Sequence, residues 1–197
     1  KLDPDGTGTE IEVLSITFKD ITEERRQAEQ LSYLASHDGL TGALSRYALE
    51  AHLTEQMGAA PGVTAVLVRM DRLRNVSATL GHHVADKVLC TVHKRLENHL
   101  GQPIGRLGSD LFAFTWPTAL SKEELAGRLV QLRALLEEPY ELDEHIVVLH
   151  VWFGVSSTRT EPANAGELLQ QAELAEPFQV VLEAPHLGDP VAVEHKE

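Results

Sequence analysis

The stretch Arg106-Leu107-Gly108-Ser109-Asp110-Leu111-Phe112-Ala113 constrains the fold of this chain more than any other. Apolar residues flank a small, polar, turn-forming centre. That is the pattern of a β-hairpin, here over 104–116, whose tip lifts the Asp110 carboxylate into solvent. Val63 to Met70 reads as a buried strand from its β-branched run, and Ile146 to Ser156 alternates as another. Around them the helical signals are clear. A Gly-bearing turn at Asp38-Gly39-Leu40-Thr41-Gly42 leads into a helix through about Met57, which Ala59-Ala60-Pro61-Gly62 breaks. Val88, Leu89, Val92 and Leu96 form the apolar stripe of a helix over about 85–100. Ser121-Lys122-Glu123-Glu124 is a capping box opening a helix to about Leu136, and Ala165 to Ala175 is a last one. Helices alternating with strands around one adjacent hairpin predict an α/β sandwich: a central, mostly antiparallel sheet flanked by helices.

Ahead of this body, Glu10 to Phe18 alternates as a strand, and Asp20 or Thr22 can cap a helix running to about Ser36. Ile21, Ala28, Leu31 and Ala35 fall on heptad a and d positions, interrupted by Glu24. The pattern leaves two readings open, a short parallel coiled coil or a helix packed on its own domain. The strand followed by Asp20-Ile21-Thr22-Glu23 resembles the end of a PAS sensory domain and the signalling helix that leaves it. Residues 1–19 are therefore assigned to the last strands of a PAS-type domain and 20–36 to an N-terminal linker helix. Residues 184–197, which include Pro185, Gly188 and Pro190, read as a linker onward.

A net charge of −13 argues against nucleic acid or an anionic membrane as partner, and it disfavours a triphosphate unless a metal or a local basic cluster offsets it. No apolar run reaches membrane-span length, which points to a cytoplasmic protein without direct membrane insertion. The lone Cys90 reads as a small buried hydrophobe. His82 and His83 are adjacent, so on a helix their side chains diverge and do not form a metal pair.

Several blocks, in order, resemble the GGDEF family, the diguanylate cyclase domains that make cyclic di-GMP from GTP. Asp38-Gly39-Leu40-Thr41 through Arg46 resembles the family's DxLT turn, whose Asp and Arg brace the junction with the stalk helix. Arg69-Met70-Asp71-Arg72-Leu73-Arg74 lines up with its D-x-D-x-F-K strand end. Leu80-Gly81-His82 with Asp86 matches its G-H segment and guanine-binding Asp. Gly108-Ser109-Asp110-Leu111-Phe112 resembles the signature hairpin, and the strand Val148 to Val155, ending in Phe153-Gly154-Val155, resembles the S-I-G-I block. The resemblance, taken over 37–183, implies the palm-like fold of nucleotidyl cyclases. The chemistry it implies joins two nucleoside triphosphates with metal ions held by carboxylates.

The departures from the family pattern all weaken that chemistry. Arg69 occupies the position of the first metal-binding Asp, and a guanidinium cannot coordinate magnesium. Ser77 stands where an Asn reads the guanine edge, and Leu111 replaces the second hairpin acid. The Lys and Arg that follow the last family helix are absent. His99-Leu100-Gly101-Gln102 occupies the product-inhibition motif R-x-x-D without either charge. Asp110 remains, either as a residual metal ligand or as an ion-pair partner for Arg69; the second is the expectation, with the pair filling the former metal site. The resemblance thus implies a degenerate, catalytically inactive domain without cofactor. It would act as a regulatory and dimerisation module beside PAS and EAL-type domains of the same protein. The alternative is a domain that binds GTP without turnover through Asp86, Ser77, Gly81 and Arg74.

Overall fold

The computed structural model describes residues 22–142, 145–158 and 164–178. The strand expected within 10–18 and the linker expected at 184–197 lie outside these residues. The chain divides after Tyr33 into two compact units. In the first, helix α1 (Thr22–Ser36) begins, and Glu23 accepts from Arg26 at 3.2 Å and from Gln27 at 3.0 Å. Leu31, a heptad position, is 67% exposed.

The second unit carries α2 (Arg46–Ala59), β1 (Thr64–Met70), α3 (Leu73–Leu80), α4 (His82–Leu100), β2 (Gly105–Arg106) and β3 (Leu111–Trp116). Then follow α5 (Lys122–Glu137), β4 (Tyr140–Leu142), β5 (His145–Val147), β6 (Val151–Ser157) and α6 (Ala165–Leu174). Four strands form one sheet in the order β2-β3-β1-β6, antiparallel throughout, with β1 in the middle. The expected mixed α/β architecture with a mostly antiparallel sheet is what the chain adopts.

Period-two alternation assigns the faces. Val66, Val68 and Met70 of β1 join Phe112 and Phe114 of β3 and Phe153 of β6 in one buried cluster with Val88, Val92 and Leu96 of α4 and Leu129, Leu132 and Leu136 of α5. Ala65 and Leu67 turn to the other face with Leu111 and Ala113, against Leu49 and Leu53 of α2 and Leu168, Leu169 and Ala172 of α6. The sheet is therefore covered on both sides, which is why β1 reads as a continuous apolar run. Helix α6 sits very close to it: a Cβ built on Gly154 would lie 2.1 Å from the Ala172 carbonyl oxygen. Only glycine fits there.

Three expectations need correction. The alternating run 146–156 is two strands: β5 pairs with β4 in a separate ribbon, and the main-sheet strand β6 starts at Val151. The break falls where His150 gives its carbonyl to the Asp71 N–H (2.8 Å) and the Glu137 carboxylate takes the Val151 N–H (3.1 Å). Helix α3 is absent from the sequence expectation because its eight residues make only about two turns, too short for an apolar stripe to repeat, and α4 begins three residues earlier than expected, at His82. Cys90 is half-buried, its Sγ 3.5 Å from the Leu40 carbonyl oxygen, and is not a core residue.

Candidate functional site

The hairpin forms as the sequence requires: Arg106 pairs with Phe112, and the Leu111 carbonyl accepts from Leu107 N–H (2.8 Å) and Gly108 N–H (3.3 Å). This leaves Gly108, Ser109 and Asp110 as the tip. Behind it, Asp38 holds the turn that precedes α2. Its Oδ1 accepts from the Thr41 N–H (2.9 Å), the Thr41 hydroxyl (2.6 Å) and Arg106 Nη1 (2.8 Å). Burial would raise the Asp38 pKa, but the Thr41 and Arg106 hydrogen bonds outweigh it and hold the carboxyl below its ordinary value. The arginine that braces Asp38 is thus Arg106. Arg46, expected with Asp38 to brace the junction with the stalk helix, bonds Glu173 of α6 at 3.2 Å.

The register at the end of β1 decides what the hairpin tip can do. Arg69 lies directly across from Leu111 on one side and Trp152 on the other, so these three side chains share the α2–α6 face. Asp110 falls one residue earlier, where its carbonyl accepts the Met70 N–H (3.0 Å), and by alternation it belongs to the opposite face. The expected Arg69–Asp110 ion pair is accordingly not formed. The carboxylate of Asp110 has the Ser109 hydroxyl at 3.4 Å as its hydrogen-bond partner, and Arg69 has no ion-pair or hydrogen-bond partner among the described residues. Leu111 is 5% exposed and packs into the α2–α6 layer.

Arg69, Asp71, Arg72, Arg74, Asp110 and Trp152 nevertheless line one open cavity of about 510 Å³ where β1 runs into α3. Asp71 pairs with Arg72 (3.7 Å), whose backbone is left-handed at φ 63°. The remaining nucleotide candidates lie along α3 and α4 and do not line this cavity. Ser77 Oγ is 2.7 Å from His82 Nδ1, Gly81 at φ 93° forms the joint between the helices, and Asp86 is exposed in the first turns of α4. The structure therefore brings together Arg69, Arg74 and Asp110, and leaves Ser77, Gly81 and Asp86 apart from them. Trp152 is the residue that sequence reasoning missed. The signal was its place in Trp152-Phe153-Gly154-Val155, where a bulky indole stands at the serine position of S-I-G-I.

The donor set does not fit a catalytic divalent metal. Magnesium is held by carboxylates and water; here two aspartates share the cavity with three guanidiniums. Among the described residues no three His, Cys, Asp or Glu side chains are grouped to hold a metal ion, and no helix is long and apolar enough to cross a membrane.

The profile of the diguanylate cyclase GGDEF domain matches residues 35–176. An uncharacterized protein of Mycobacterium tuberculosis is 32% identical over 171 residues, 83% of this chain and 26% of that protein. The cyclic di-GMP phosphodiesterase PdeB of Shewanella oneidensis is 28% identical over 164 residues, 81% of this chain and 19% of that protein. This chain thus spans about a quarter or less of the length of these relatives. Among solved structures, a sensory box/GGDEF family protein from Caulobacter crescentus superposes with a TM-score of 0.63 at 24% identity, covering 72% of this chain and 95% of that one.

Proposed function

The chain belongs to the GGDEF domain family, whose members occur in cyclic di-GMP signalling proteins, and on that premise we propose that it is a catalytically inactive member serving as a regulatory module. The observation that carries this reading is the register of Arg69. It places a permanent cation on β1 where the chemistry needs a metal-binding carboxylate, and it puts Leu111, not an acid, across from it. No rotation of the Arg69 side chain restores a ligand, because a guanidinium has no lone pair to offer. The loss of the R-x-x-D charges at His99 and Gln102 fits the same reading, since a domain without product needs no product inhibition.

The module would couple a PAS-type segment upstream of α1 to an EAL-type domain downstream, in the cytoplasm. The exposed Leu31 supports α1 as a helix seam for a second copy of the chain. The decisive assay is incubation with GTP and magnesium followed by nucleotide chromatography. No cyclic di-GMP is expected, and its appearance would refute the proposal. A second reading, binding of GTP without turnover, is favoured by one observation: Arg69 and Arg74 reach the cavity unpaired.

A further inference from the structure

We propose that the β4–β5 ribbon is a docking edge for an extended peptide segment of a partner protein, one that alternates apolar and Lys or Arg side chains and adds beside β5 as a third strand. The inference goes beyond the inactive-domain reading, since no residue of the ribbon lines the cavity at the end of β1.

Three observations carry it. The first is an open edge. The ribbon is a separate sheet of two strands. Leu142 pairs with His145 across a two-residue connection, so Glu141 and Ile146 form the next pair, the one without mutual hydrogen bonds. The N–H and C=O of Ile146 therefore point away from β4, and by alternation those of Val148 and His150 point the same way. On that edge the His150 carbonyl takes the Asp71 N–H at 2.8 Å, where β1 gives way to α3. Ile146 and Val148 have no backbone partner there among the described residues. The second observation is an apolar face beside the edge. Alternation buries Val147 and Leu149 and leaves Ile146 72% and Val148 58% exposed. Edges of native sheets are blunted by Lys or Pro, and residues 145–150 hold neither. The third is charge. The sequence from Glu137 to Glu144 carries five carboxylates and no Lys or Arg. Glu137 is engaged with the Val151 N–H and His150, whereas Glu138 and Glu141 are exposed and Glu141 stands directly across from Ile146. An apolar edge rimmed by carboxylates selects an extended segment with cationic side chains: the main chain supplies ladder bonds, and the charges supply the choice of partner. At the far end of the exposed stripe Trp152 lies across from Arg69, so the partner's cations belong at the ribbon end.

Amide hydrogen exchange on the intact chain tests this. The probe is a capped peptide of about eight residues alternating Lys and Val, the length of an ordinary strand, with a Glu–Val peptide as its counterpart. Saturating Lys–Val peptide is expected to slow exchange of the Ile146 and Val148 amides about tenfold or more, with the amides of β1 unchanged. The Glu–Val peptide should leave both amides as they were. Glu138→Lys combined with Glu141→Lys should weaken the Lys–Val peptide about tenfold or more. Val148→Pro removes an outward N–H that lies outside the β4 register and should abolish binding, with the fold checked by circular dichroism. Ile146→Lys keeps every backbone group and should weaken binding as well. Unchanged exchange at Ile146 and Val148, equal protection by the two peptides, or full affinity in the Glu138→Lys, Glu141→Lys variant would each overturn the inference.

Discussion

Two aspartates flank the same hairpin and have opposite fates. Asp38, behind it, is 26% exposed and holds Thr41 twice and Arg106 once within 2.9 Å. Asp110, at the tip, has a single hydroxyl at 3.4 Å. The first carboxylate fastens the hairpin to the turn before α2 and is structural. The second lines the open cavity at the end of β1 and fastens nothing. The difference teaches that the hairpin's architecture does not depend on the acid at its tip: the backbone is held by β3 and by Asp38–Arg106, and neither uses the Asp110 carboxylate.

The largest effect should come from restoring the second acid. Leu111→Glu drives a carboxylate into the α2–α6 layer at a position 5% exposed and should cost about 3 kcal/mol, roughly 6–12 °C in Tm. A loss under about 1 kcal/mol would show that this position opens to the cavity and is not core. Next comes Asp38→Ala, which strands the Thr41 and Arg106 donors and should cost about 2 kcal/mol by chemical denaturation. Asp110→Ala should change stability by no more than about 0.5 kcal/mol. Equal losses for the two would erase the contrast between them.

Acid titration sharpens it further. The folded pKa of Asp38 lies below its ordinary 3.8, so its contribution is complete above that value and is lost as pH falls through the lower folded value. His93 behaves in the same direction at higher pH. Burial lowers its pKa below 6.5 against the pull of Glu97 and Asp38, so its contribution fades as pH drops below 6.5. Thermal melts from neutral pH downward should lose stability in these two windows, and the lower one should vanish in Asp38→Asn. The smallest effect is expected for Arg69→Ala: within about 0.5 kcal/mol of the parent, since Arg69 is exposed and has no partner among the described residues.

Much of this was legible in the sequence because it follows from local chemistry. The Ser121–Glu124 capping box forms as written, the β-branched run of β1 is buried on both faces, and the polar tip between Leu107 and Leu111 turns. What was not legible depended on register and on distant partners. Arg69 and Asp110 are close in the site, but which residue stands across from Arg69 depends on a one-residue shift that no single strand pattern fixes. The Arg106–Asp38 pair likewise joins residues 68 positions apart. The split of 146–156 into β5 and β6 was hidden because alternation continues through a segment whose hydrogen bonds go to Asp71 and Glu137.

The central claim, that the hairpin is retained without a metal site, is tested most directly by the thermal midpoint in millimolar magnesium against the same buffer with EDTA. A ligand that binds only the folded chain must raise that midpoint. The account predicts no difference beyond about 1 °C. A rise of several degrees that disappears in Asp110→Asn would contradict it.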